Sequence, residues 1–277
     1  LGELTVSEAN VIDGLTTGVV TASIATTETV EALQTLTGSN AYTIVISSAD
    51  ATGSTAAEFN TINGLTTEAI DASAVTGLAK DTIENIRTLL TAGNDTAQFT
   101  DNSFSQLSAV SVFNVTNYLA NNTDLANFFS PTNGFITTEQ QEAGAIKHYN
   151  DFGFNEGRND GSLDVTDLNE AITEANIATG TTETVFTITS GSTINGGSDV
   201  EFSTLLANEE LGNISITNQN LTVDSGSISI NELNLLSATT TGTVTASITT
   251  TGTITGTYDE ITALYESAGV GNLGNEA

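Results

Sequence analysis

The chain has 277 residues, with 34 acidic side chains against 4 basic ones, a formal charge of −30, and no Cys, Met or Trp. That balance excludes the basic footprint of a nucleic-acid binder, disfavours docking on anionic lipid, and makes cations the natural partners. Without Cys there is no disulfide, zinc–thiolate site or thiol catalysis. No long apolar run and no basic-then-apolar opening occur, so neither membrane insertion nor a signal peptide is expected. The missing Met at position 1 predicts a segment of a longer precursor, and the Thr- and Asn-rich, Lys-poor usage points to an extracellular location.

Self-similarity organises the chain. Ser7-Glu8-Ala9-Asn10-Val11-Ile12-Asp13-Gly14-Leu15-Thr16-Thr17 recurs as Ala57-Glu58-Phe59-Asn60-Thr61-Ile62-Asn63-Gly64-Leu65-Thr66-Thr67, and again as Asn231-Glu232-Leu233-Asn234-Leu235-Leu236-Ser237-Ala238-Thr239-Thr240. Half-way copies start at Glu28-Thr29-Val30, Asp81-Thr82-Ile83 and Tyr258-Asp259-Glu260, giving a working unit of roughly 25 residues. Each acidic piece follows Ser, Thr or Asp and spaces its apolar residues three to four apart, which predicts a short capped helix. The stretches that follow alternate. Ile214-Ser215-Ile216-Thr217, Leu221-Thr222-Val223-Asp224, Ile228-Ser229-Ile230 and Thr243 to Ile248 read as half-buried strands with hydroxyls outward. One strand and one short helix per unit bury little alone, so stacking is required. Over about 181–256 a conventional β-sandwich competes, and Ser203 to Ala207 is the place for a helix that would favour the repeat.

The middle of the chain differs. All four basic residues, Lys80, Arg87, Lys147 and Arg158, and the sole His148 fall within 80–158, as do 9 of the acids; residues 1–79 hold 9 acids and 159–277 hold 16, with no base. Phe104, Phe113, Tyr118, Phe128, Phe129, Phe135, Tyr149, Phe152 and Phe154 supply bulk for a separate core. Val115 to Leu119 and Leu125 to Phe129 predict two short helices joined at Asn121 to Asp124, and Glu139 to Tyr149 a third. The expected fold class is therefore a β-rich α/β repeat, solenoid-like or layered, with a small all-α insertion: strand/helix repeats over 1–100, the helical insertion over 101–160, and β-rich repeats over 161–277.

Tyr118-Leu119-x4-Asp124-Leu125 followed by His148-Tyr149-x3-Gly153-x2-Glu156-Gly157-Arg158 resembles the helical modules of large secreted cyanobacterial and related bacterial surface proteins. Thr241 to Ser247 and Leu273-Gly274-Asn275-Glu276-Ala277 resemble the Thr/Ala-rich tandem repeats of the same proteins. The resemblance implies a secreted, calcium-associated, non-enzymatic surface role. Leu1-Gly2-Glu3 also matches Leu273-Gly274-Asn275, which predicts a tandem array or head-to-tail assembly.

A lone His148 without Cys or a nucleophile elbow points to structure rather than catalysis. His148, Tyr149, Glu156 and Arg158 are expected to form a polar and aromatic lock, with Arg158 paired to a carboxylate. Hard oxygen ligands make calcium the metal to consider. The run from Glu156 to Leu168 resembles an EF-hand or dockerin loop aligned on Gly161, which makes Glu156, Asp160, Ser162 (through its carbonyl), Asp164 and Asp167 candidate calcium ligands. Arg158 stands where that loop carries an oxygen ligand, and the competing reading is a helix capped by Asp164 or Asp167. Asn195-Gly196-Gly197-Ser198-Asp199 reads as a turn, and calcium between modules would let acidic walls approach. Asn-x-Ser/Thr sequons stand at Asn94, Asn114, Asn121, Asn213 and Asn220. The expected function is a structural, non-enzymatic module that assembles with copies of itself into a filament, S-layer or adhesive stalk, with surface polysaccharide as a further partner. The alternative is a carbohydrate-binding or carbohydrate-cleaving β-solenoid of the phage tail-spike type.

Overall fold

The computed structural model describes residues 2–47, 50, 52–153, 155–156, 158, 162–180, 184–224, 227–246 and 253–268. The architecture is mixed α/β with parallel strand pairing. In chain order the elements are α1 (Val6–Asp13), β1 (Thr21–Ser23), α2 (Val30–Leu33), β2 (Ala41–Thr43), α3 (Ala56–Asn63), β3 (Gly77–Thr82), α4 (Ile83–Gly93) and β4 (Ala109–Phe113). Then come α5 (Val115–Asn121), α6 (Thr123–Phe128), α7 (Thr138–His148), β5 (Ser162–Asp164), α8 (Val165–Thr179), β6 (Val185–Thr187), β7 (Thr193–Asn195), α9 (Asp199–Glu210), β8 (Asn220–Val223), β9 (Ser227–Ser229), α10 (Ile230–Thr239), β10 (Val244–Ala246), β11 (Thr253–Thr255) and α11 (Tyr258–Ala268).

Two compact units result: Leu1–Ser111 with Ala171–Phe186, and Val112–Glu170 with Thr187–Ala277. This division groups the helical segment with the C-terminal repeats, whereas the sequence pattern divides the chain into three at residues 100 and 160.

In the first unit, Thr5, Thr29, Thr55 and Thr82 cap α1 to α4 by accepting a backbone N–H three residues on. Glu8 and Glu58 return the bond to the cap residue and complete a capping box in α1 and α3. Between the helices, Leu4 pairs with Ile24, Thr21 with Ala41, Asn40 with Thr66, Val45 with Asp71 and Ile70 with Phe99, all in parallel. Partners lie roughly 20 to 30 residues apart, which is one repeat. Valine, isoleucine and leucine fill much of the core, but Tyr42, Phe59, Phe99 and Phe104 are also fully buried, so these repeats hold more aromatic bulk than their alternation suggests. Phe104 lies so close to Gly93 that a Cβ there would stand 2.6 Å from the ring.

In the second unit, Phe113, Val115, Tyr118, Leu125, Phe129, Ala145, Ile146 and Tyr149 form the core of the helical segment. The three expected helices are α5, α6 and α7, and a π-helical turn, Tyr149–Gly153, follows α7. Beyond it, β10-β8-β7-β5 form one parallel sheet and β11-β9 another. Leu163, Ile194, Leu221 and Val244 align across the first sheet and all are buried, while Ser162, Thr193 and Asn220 form a polar row beside them. A conventional sandwich would pair its strands antiparallel. Here they are parallel with α9 and α10 between them, and Ser203 to Ala207 lies inside α9. Ile214 and Ile216 are buried as expected, yet Ile214 is only a bridge position and Ser215 to Thr217 are not in a strand. The last four residues of the alternating run Thr243 to Ile248 divide between β10 and positions 247–248, which lie outside the described residues. Among the described residues no helix is long and apolar enough to cross a membrane.

Candidate functional site

Three of the candidate ligands in the acidic run, Glu156, Ser162 and Asp164, have partners within the fold. Glu156 accepts from Arg158 Nε at 2.6 Å. Asp160 lies outside the described residues. The Ser162 carbonyl takes two amide donors, Asn114 Nδ2 at 2.5 Å and Asn117 Nδ2 at 2.7 Å, and its hydroxyl takes Asn117 at 2.6 Å. Asp164 Oδ1 accepts the backbone N–H groups of Thr166 at 2.8 Å and Asp167 at 3.3 Å. That is an N-cap for α8, the competing use of Asp164. Asp167 sits in the first turn of α8, where its charge complements the helix dipole. Ser162 and Asp164, two candidate ligands of the loop, thus also serve as acceptors within the fold. Gly196 (φ +75°) and Gly197 (φ +82°) make the expected turn into α9, and Gly196 has no room for a Cβ against Asp164.

The lock, by contrast, is assembled. Arg158 donates from Nη1 and Nη2 to the two carboxylate oxygens of Asp124 at 3.0 and 2.9 Å, and from Nη1 to Asn122 Oδ1 at 2.8 Å. This fork fixes the start of α6 to the segment after the π-helical turn. Hydrogen bonding to Arg158 holds the Asp124 carboxyl below its ordinary value, and the bonds to Asp124 and Glu156 raise the guanidinium further. Tyr118 Oη lies 3.0 Å from His148 Nδ1, its ring meets Tyr149 edge-on at 5.4 Å, and burial pushes its hydroxyl up to about 12. A Cβ on Gly153 would stand 2.5 Å from Tyr118 Oη. Both halves of the motif therefore meet: Tyr118 with His148 and Gly153, Asp124 with Arg158. Tyr149 Oη donates to Thr189 Oγ1 at 3.3 Å. These groups hold one another.

A second pattern, not expected from the sequence motifs, recurs in the repeats. Glu28 accepts from the Val6 N–H in the first turn of α1 at 3.3 Å, and the aligned Asp81 accepts from the Ala57 N–H in the first turn of α3 at 2.7 Å. Asn10 donates to the Thr35 carbonyl at 2.8 Å, and the aligned Asn60 to the Asn85 carbonyl at 3.0 Å. In the second unit Asn169 donates likewise to the Glu201 carbonyl at 2.8 Å, and Glu201 accepts from Thr166 Oγ1 at 2.9 Å. At these three junctions the later repeat reaches back to its predecessor with an acid that meets helix N–H groups or a hydroxyl. Helix N-termini thereby stand in for the missing bases. The sequence signal was an acid immediately before a Thr cap, at Glu28-Thr29 and Asp81-Thr82. Asp81 is fully buried, and desolvation raises its carboxyl despite three hydrogen-bond donors.

No protein-family model, curated protein or solved structure matches this chain.

Proposed function

We propose that the chain is a structural, non-enzymatic module of a secreted bacterial surface protein, stacking its repeats as a solenoid and assembling with copies of itself into a filament, layer or stalk. One observation carries the reading: repeats join through parallel pairings, and the contact of an acid with the preceding helix N-terminus recurs at two of their junctions, as expected of units that stack on one another. The resemblance of the Tyr118 to Arg158 module to those of secreted surface proteins favours the same reading, and its self-contained lock agrees with a stabilising role. Calcium is assigned to carboxylates of adjoining modules, where it would offset the repulsion between copies carrying −30 each. Sedimentation of the purified chain with calcium and with chelator tests this. Association that grows with concentration and with calcium supports the proposal, and a monomer under every condition overturns it.

A further inference from the structure

A groove of about 560 Å³ in the first unit is lined by residues of α3, α4 and α8. Its size falls within the roughly 300–1,000 Å³ of small-molecule sites. From α4 come Glu84, Arg87, Thr88 and Thr91, spaced i, i+3, i+4 and i+7 as one stripe of the helix. The core of the unit is served by a different stripe, Ile83, Ile86, Leu89 and Leu90, all buried, so packing does not require the polar one.

The other walls are polar too. Asn60 donates to the Asn85 carbonyl at 3.0 Å and Asn63 to Gln98 Oε1 at 2.8 Å, which fixes both amide planes beside the groove. Among the described residues neither Asn side-chain oxygen has a partner in the chain. Glu174 of α8 reaches the same groove from far along the sequence and stands 3.8 Å from Arg87 Nε. Grooves between other neighbouring helices are lined differently. Val6, Val11 and Ala32 line the one between α1 and α2, and Glu209, Glu210 and Glu232 the one between α9 and α10, and neither has a base.

This lining selects a chemical class. Carboxylates and amide oxygens accept, guanidinium and hydroxyls donate, and no aromatic ring is present for a nucleobase to stack on. Two carboxylates against one guanidinium disfavour an anion, such as a phosphate or sulfate ester. An uncharged molecule bearing many hydroxyls, each both donor and acceptor, satisfies the set. We infer that this groove binds a neutral saccharide, with Asn60, Asn63 and Glu174 accepting from its hydroxyls and Arg87 and Thr91 donating to its oxygens. The assignment goes beyond the self-assembly reading and does not depend on it.

The test is an array of neutral oligosaccharides of glucose, galactose, mannose and N-acetylglucosamine, with sialylated and sulfated oligosaccharides beside them, followed by calorimetric titration of the neutral ones. Thr91→Arg and Thr88→Lys each push a long side chain into the groove from an exposed position on α4. Circular dichroism checks that each folds. The wild-type chain is expected to bind a neutral oligosaccharide, both variants to melt like wild type and bind at least tenfold more weakly, and Thr204→Arg, exposed on α9, to bind as wild type does. A wild-type chain that binds none of the neutral oligosaccharides, or prefers the charged ones, overturns the assignment, as does a folded groove variant that binds undiminished. Self-assembly, followed by sedimentation, stands or falls separately.

Discussion

Asp81→Asn probes how an acidic repeat stacks. The wild-type carboxylate accepts three hydrogen bonds, from Thr82 N–H at 2.7 Å and Asn85 Nδ2 at 2.9 Å on one oxygen, and from Ala57 N–H at 2.7 Å on the other. Asparagine keeps the shape but offers one acceptor oxygen. If it keeps the Thr82 and Asn85 bonds, its own N–H2 faces the Ala57 N–H, and two buried donors oppose each other. Leaving a buried donor unsatisfied costs about 1–3 kcal/mol. Part of this is offset because the variant no longer buries a charge, so about 1–2 kcal/mol is expected. The pH dependence has a definite sign. Burial raises the folded-state value of Asp81, so the folded chain holds its proton to higher pH than the unfolded chain. Its contribution falls as pH rises from the ordinary Asp value through the raised one, and the gap between wild type and variant narrows over that window. Urea unfolding followed by circular dichroism gives the stability change, and hydrogen exchange at the Ala57 amide gives the local one. A change below about 0.5 kcal/mol with unaltered Ala57 exchange would refute the reasoning.

Other outcomes follow from the same contacts. Arg158→Ala should lower the melting temperature by about 2–4 °C, and Arg158→Lys should not restore it because an ammonium cannot make the fork to Asp124; an unchanged melting curve for Arg158→Ala would remove the lock. Gly153→Ala places a methyl against Tyr118 Oη and should destabilise the helical segment, visible as a changed near-ultraviolet Tyr signal. Glu8, Asp13, Asp95, Asp124, Glu201 and Glu260 all have lowered values, the first from the Thr5 backbone N–H and the fourth from Arg158. Their stabilisation is present above the ordinary carboxylate range and is lost as pH falls through the lowered values, so acid unfolding should set in below about pH 4; onset at pH 6 would contradict this. Calcium should raise the melting temperature over chelator by a few degrees, and identical curves would end the calcium proposal.

Much of this was legible because periodic contacts need periodic residues. The alignment of Ser7 to Thr17 with Ala57 to Thr67 exposed α1 and α3, and the Thr caps marked their starts. The lock was legible too, since Asp124 and Arg158 are the charged ends of a spaced motif. Asp164 was ambiguous because a cap and a metal ligand draw on the same carboxylate, and the positions of Thr166 and Asp167 N–H show its Oδ1 in the cap. The Ser162 carbonyl was beyond reach, since its donors Asn114 and Asn117 come from a distant segment. Ile214 to Thr217 alternates like a strand, yet alternation gives burial of every second residue without guaranteeing a ladder beside it. The backward reach of Glu28 and Asp81 lay in the repeat but only as one acid before a cap, a signal that acquires meaning once the preceding helix N-terminus is in place.

Electron microscopy of the purified chain in calcium over a range of concentrations tests the central claim most directly. The account predicts assemblies built by repeated end-to-end contact that lengthen with concentration, and dispersed single particles at every concentration would contradict it.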